Sequence, residues 1–184
     1  FTSIHPVRLE TSTSDRTDGS VGTALKEVKE QLRAIPDNGI GYSILRHLNP
    51  HTARRMAALS QPQIAFNYLG AIPAQQDADW AVTTESDAIE GAGDERMPLR
   101  RALRFTAVTC DHAAGPQLTI TCTWAAELLT EQDIRELGDA WVTALATLAK
   151  HAQEPNAGGR TPSDLTLVSL NQSEIDDIAQ QLGL

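Results

Sequence analysis

A chain of 184 residues with 41% apolar side chains has the material for one globular domain, or one lobe of a larger one, with a core of its own. Its net charge of −9, from 24 acidic against 15 basic residues, argues against nucleic acid as a partner, because no basic cluster is dense enough to collect phosphates. No apolar run approaches the ~18 residues that span a bilayer, so no membrane contact is expected and the cytoplasm is the expected compartment.

The chain opens with "FTSIHPVRLE", which reads as a short strand with Pro6 at an edge or a strand start. That opening carries no basic-then-apolar leader and resembles the interior of a longer polypeptide. After the polar loop "TSTSDRTDGS", residues 20–35 predict a helix with Ser20 as its cap. Its apolar stripe is Val21, Leu25, Val28, Leu32 and Ile35, and its charged face of Lys26, Glu27, Lys29, Glu30 and Arg33 is expected to be solvated. Pro36 stops the helix. In "PDNGIGY", Asn38, Gly39 and Gly41 predict a turn that needs positive φ or close approach by another group.

Short helices are expected over 42–48 and 51–59, followed by a strand over 64–72. Residues 73–98 read as a long acidic loop anchored by Trp80, of a length usually reserved for functional or mobile segments. "LRFTAVTCDH" and "QLTITCTWA" alternate and predict a β-hairpin. A long helix follows, with Thr130 and Asp133 as a capping box and Ile134, Leu137, Trp141, Leu145 and Leu148 as its stripe. "LTLVSL" reads as a strand, and residues 171–184 as a short amphipathic helix capped by Asn171. The elements predict an α/β lobe: about four strands in a mixed sheet with helices packed against it.

The usual catalytic signatures are absent: there is no nucleophile elbow, phosphate loop, dinucleotide fingerprint or paired-histidine zinc motif. Cys110 and Cys122 sit in alternating apolar segments and read as small core residues, so no metal site is expected. His5 and His112 read as structural or exposed. Arg100, Arg101 and Arg104 form the one tight basic cluster, with Arg104 phased toward a polar surface. The anomaly is "IAFNYLGAI", residues 64–72. Asn is depleted in strands, and a buried amide without partners costs roughly 1–3 kcal/mol. Alternation sends Phe66 and Tyr68 to one face and Asn67 and Leu69 to the other. Either the amide points into something polar, or the segment lines a cavity.

Three stretches in order resemble the epimerization domains of nonribosomal peptide synthetases, members of the condensation-domain superfamily. "FTSIHPVRL" is similar to that family's "VGWFTxxxPVxL" without its first three residues. Pro36, Gly39, Gly41 and Tyr42 match "PxxGxGYG", with Ser43 departing from the final glycine, and Phe66 to Gly70 match "FNYLG". "TPSDLTLVSLNQSEIDDI" is similar to the segment that ends such domains and leads into the next module. The resemblance implies one lobe of a two-lobed fold like that of chloramphenicol acetyltransferase. Residues 1–170 would be the C-terminal lobe and residues 171–184 a helix toward the following module.

What the resemblance implies chemically is epimerization at the α-carbon of an aminoacyl or peptidyl group. That group is held as a thioester on the phosphopantetheine of a peptidyl carrier protein; no cofactor is expected on the chain itself. The partners implied are the N-terminal lobe of the same domain and the carrier protein. The family's "HHxxxDG" motif occurs nowhere in the sequence, and its "EGHGRE"-like glutamate precedes the "FTS" strand. This lobe would then contribute hydrogen-bond donors and shape: Asn67 and Tyr68 as candidate catalytic donors, and Gly39, Gly41, Tyr42 and Phe66 as candidate lining of the pantetheine tunnel. A non-catalytic recruitment module and a peptide-bond-forming condensation domain are the competing implications.

Overall fold

The computed structural model describes residues 3–11, 18–73, 100–112, 114–154 and 157–182. Apart from residue 73, the expected acidic loop and Trp80 lie outside the described residues. The chain divides into two compact units: Gln61–Glu136, and Phe1–Ser60 together with Leu137–Leu184.

The Gln61–Glu136 unit holds a mixed sheet of three strands in the order β1 (Ile64–Ile72), β2 (Leu103–His112), β3 (Gly115–Trp124). β1 runs parallel to β2, and β2 pairs antiparallel with β3 across the expected hairpin. Register partners project to the same side, so the two faces can be read directly. One carries Leu103, Phe105 and Ala107 of β2 with Trp124, Cys122 and Ile120 of β3. Leu103 and Ala107 are only 5% and 3% exposed, which makes this the buried face. The other carries Arg104, Thr106, Thr119, Thr121 and Thr123, with Val108 and Cys110 toward the end of β2, and is the more polar half of the period-two pattern.

The other unit is built on helices. α1 (Asp18–Arg33) begins two residues before Ser20, which therefore lies inside the helix and not at its cap. It is followed by a tight turn (Pro36–Gly39), α2 (Ile40–Ser43), a π-helical turn (Ile44–Leu48) and α3 (Pro50–Ala57). α4 (Glu131–His151) begins in the Gln61–Glu136 unit and continues into this one; it starts at the predicted capping box, where Thr130 N and Oγ1 both donate to Asp133 Oδ2, at 2.8 and 2.7 Å. α5 (Gln172–Leu182) starts at Asn171, whose Oδ1 accepts from Glu174 N at 3.0 Å.

Two expected strands do not form. Residues 3–11 contain no strand, and no β-ladder partner lies beside them among the described residues. The amide of Gln31 on α1 takes that place at Glu10, accepting from its N–H at 2.8 Å and donating to its carbonyl at 2.5 Å. Residues 165–170, "LTLVSL", are likewise turns and irregular chain, with Leu167 fully exposed. The described sheet therefore has three strands where four were expected.

The charged face of α1 also departs from expectation. Lys29 contacts Asp164, Arg33 Nη1 reaches Asp164 Oδ1 at 2.5 Å, and Lys26 Nζ reaches Asp176 at 3.0 Å. Glu30 accepts from Ser163 N at 3.2 Å and from Ser163 Oγ at 2.5 Å. The face expected to be solvated instead binds the "TPSD" turn and α5. Helical periodicity separates two faces but does not say which one meets a polar partner more than 100 residues away.

Candidate functional site

Among the described residues β1 is an edge strand, and its side chains follow the two sheet faces. Phe66 pairs in register with Phe105 and Tyr68 with Ala107, placing both on the face that β2 buries. At the sheet edge they are nevertheless 61% and 51% exposed. The Tyr68 hydroxyl forms a 3.0 Å hydrogen bond with Thr109 Oγ1, which gives the phenol a partner two positions further along β2. Asn67 pairs with Thr106, which pairs with Thr121, so an amide and two hydroxyls form one row across the polar face. Asn67 is exposed, and no hydrogen bond to its amide is found among the described residues. The Asn67 amide therefore stands on the polar, exposed face of the sheet.

The register slips by one residue between Tyr68 and Ala71, at a bulge that contains Gly70 with φ of +90°. This irregularity follows Tyr68, so it re-aims the end of β1 and leaves Asn67 and Tyr68 on opposite faces. One cavity on one side of the sheet can therefore receive one of these two side chains and not both.

Gly39, Gly41 and Tyr42 belong to the other unit. Asp37, Asn38 and Gly39 all have positive φ, at 49°, 52° and 77°, a run of left-handed residues that only the last adopts without steric cost. The close approach expected at this turn is made by His5. A Cβ placed on Gly39 would lie 2.1 Å from His5 Nδ1. Ser3 Oγ adds a 2.7 Å hydrogen bond to Asn38 O. Two of the three family-like motifs thus pack on each other, and His5, which looked incidental in the sequence, fills the space a side chain at position 39 would need. Its Nδ1 is sealed from solvent, with no hydrogen-bond partner among the described residues. Gly41 has open space around it, and Tyr42 lies beneath the Arg46 guanidinium, 6.0 Å from ring centroid to Cζ.

Cys110 and Cys122 are free and project to opposite faces of the sheet, pairing with Gln117 and Phe105 respectively. Burial pushes the Cys122 thiol up, which keeps it protonated and poorly nucleophilic. Arg104 is exposed on the polar face, as its phase predicts. The "TPSD" turn, which sequence reasoning treated only as a domain ending, holds a dense polar network. Thr161 is fully buried and forms a capping box with Asp164. Hydrogen bonds from Lys29, the Thr161 N–H and Arg33 hold the Asp164 carboxyl well below the usual carboxylate range. Glu30 is lowered as well, chiefly by the Ser163 and Thr161 hydroxyls.

No family model matches the chain. It is 36% identical over 180 residues, 96% of its length, to a linear gramicidin synthase polypeptide of Brevibacillus parabrevis. It is 30% identical, in a gapped alignment of 196 positions that covers the whole chain, to tyrocidine synthase 1 of the same organism. The epimerization domain from the third module of tyrocidine synthetase B matches 70% of the chain at 26% identity, with a TM-score of 0.51. The chain belongs with the nonribosomal peptide synthetases. It spans 3% of that gramicidin synthase polypeptide, 17% of tyrocidine synthase 1 and 28% of the epimerization-domain chain. This peptide-synthetase segment shares the α/β class of its structural neighbour, and among its described residues no helix is long and apolar enough to cross a membrane.

Proposed function

We propose that the chain is the C-terminal lobe of an epimerization domain, which inverts the α-carbon of an aminoacyl or peptidyl thioester carried on phosphopantetheine. The observation that carries this reading is the match to an epimerization domain over 70% of the chain, with "FNYLG" standing as an exposed edge strand and not as core. The thioester acidifies the α-proton, but inversion still requires a base, an acid on the opposite face and stabilisation of the enolate oxygen. Proton transfer falls to residues outside this sequence, since it contains no "HHxxxDG".

The opposed orientation of the strand separates the roles of its two polar residues. Asn67 offers two amide hydrogens, unengaged by any described residue, to an oxyanion on the polar side of the sheet. Tyr68 offers a phenol coupled to the Thr109 hydroxyl on the apolar side, where Phe66 supplies an apolar wall. Whichever face meets the thioester, one of them is a catalytic donor and the other supports the sheet. Gly41, with open space around it, is the glycine of the second motif whose backbone a pantetheine arm can approach. The test is loss of the α-proton from an L-aminoacyl carrier protein, followed as deuterium uptake with the complete two-lobed parent domain. Exchange at the α-carbon with inversion supports the reading; thioester condensation without α-exchange overturns it.

A further inference from the structure

Strand register gathers hydrogen-bond donors on one face of the sheet. Arg104 lies between Ala65 of β1 and Thr123 of β3, and the next row on the same face is Asn67, Thr106 and Thr121. With strands ~4.8 Å apart and a rise of ~3.3 Å per residue, the Cα atoms of Asn67 and Arg104 are diagonal neighbours about 8 Å apart. An arginine side chain spans that gap, and Ala65 is too small to stand in its way. Arg104 is exposed, and neither an ion pair nor a hydrogen bond to its guanidinium is found among the described residues. None of the register positions on this face carries a carboxylate, although the chain has 24 acidic residues against 15 basic ones. The opposite face offers no comparable group: β2 buries Leu103 and Ala107 there, and the Tyr68 hydroxyl is already bonded to Thr109.

We propose that Arg104 is a further catalytic residue, whose guanidinium meets the thioester oxygen together with the Asn67 amide. The inference rests on the epimerization reading above, and it assigns the reacting group to the polar face of the sheet. When the bond between the α-carbon and its hydrogen breaks, the proton passes to a base in the rest of the domain. The electron pair left behind forms a double bond to the thioester carbon, and the carbonyl pair collects on oxygen. A neutral amide donates to that oxygen but leaves its charge uncompensated. A guanidinium supplies the opposite charge and two further N–H donors in a fixed fork. Protonation from the opposite side then returns the pair to carbon with the centre inverted. Arg104 is engaged most strongly while the negative charge exists, which is the condition for accelerating the step and not merely binding the substrate.

The experiment follows deuterium uptake at the α-carbon of an L-aminoacyl carrier protein, catalysed by the complete parent domain carrying Arg104→Gln or Arg104→Lys. Arg104→Gln should lower kcat about 10²-fold or more with KM within about threefold of wild type. Arg104→Lys keeps the charge but loses the fork, and should lose about tenfold in kcat. Arg135→Gln, at an exposed arginine of α4, should stay within about twofold of wild type. Asn67→Ala/Arg104→Gln should lose less than the product of the two single losses, because both groups act on one oxygen. The losses should be the same for neutral and for acidic aminoacyl groups. A loss confined to aminoacyl groups that bear a carboxylate would make Arg104 a reader of the substrate side chain and overturn the proposal, as would fully multiplicative losses. Melting temperatures check the fold, and if Arg104→Gln does not fold, Arg104→Lys decides by its kcat. A wild-type parent domain without α-exchange overturns the epimerization reading and this inference with it; a parent that exchanges, with both Arg104 variants within about twofold of it, overturns this inference alone.

Discussion

Substituting Gly39 by alanine tests how the two motif segments of the helical unit are joined. Two separable effects oppose the new methyl group. The first is backbone: at φ of +77°, an L residue with a side chain costs about 1–2 kcal/mol more than glycine. The second is space. The new Cβ would sit 2.1, 2.2 and 2.5 Å from Nδ1, Cγ and Cε1 of His5, against an ordinary contact of about 3.5 Å, so the imidazole must retreat by more than about 1 Å. Overpacking of that size adds about 1–3 kcal/mol, so Gly39→Ala should lose about 2–5 kcal/mol in all. Urea unfolding followed by far-UV circular dichroism measures the loss. His5→Ala on the Gly39→Ala background should recover the steric part and leave the backbone part, giving a coupling of about 1–3 kcal/mol in a double-mutant cycle. A Gly39→Ala protein within about 0.5 kcal/mol of wild type, or a cycle with no coupling, would refute the argument that His5 and Gly39 are locked together.

In the complete parent domain, Asn67→Ala or Tyr68→Phe, but not both, should lower epimerization by about 10²–10³ at unchanged fold, as expected for removing one oxyanion or relay donor; equal effects would show that the opposed faces of β1 do not decide function. The 184-residue chain alone should catalyse no α-proton exchange above the no-protein background, measured as deuterium uptake. The Asp164 carboxyl titrates lower in the folded chain than the ~3.9 of an unfolded aspartate, so its contribution is complete above about pH 4 and is lost as pH falls through the folded value. Asp164→Asn should accordingly flatten the acid limb of a plot of Tm against pH, and an unchanged acid limb would remove Asp164 from the linkage. The exposed edge of β1, with Ile64, Phe66 and Leu69 in solvent, should drive self-association at high concentration; Phe66→Ser should reduce it in sedimentation velocity, and a wild-type chain that stays monomeric would contradict this.

The sequence by itself determined whatever depends on near neighbours in the chain. Alternation located β1, β2 and β3 and sorted Cys122 from Thr121; the Thr130–Asp133 spacing located the start of α4; Asn38-Gly39 announced a left-handed turn. Motif order pointed to the peptide synthetases because it is a property of the linear chain. Tertiary structure decided what depends on partners distant in sequence. Residues 3–11 have the pattern of a strand yet form none, since the Gln31 amide and not a neighbouring strand meets Glu10. The charged face of α1 became a partnered surface because Asp164, Ser163 and Asp176 arrive from the other end of the chain to match it. His5 gained its role from Gly39, and Tyr68 gained Thr109 as a partner, through pairings that no local period encodes. A period records which residues share a face; the energy of that face depends on what the rest of the chain brings to it.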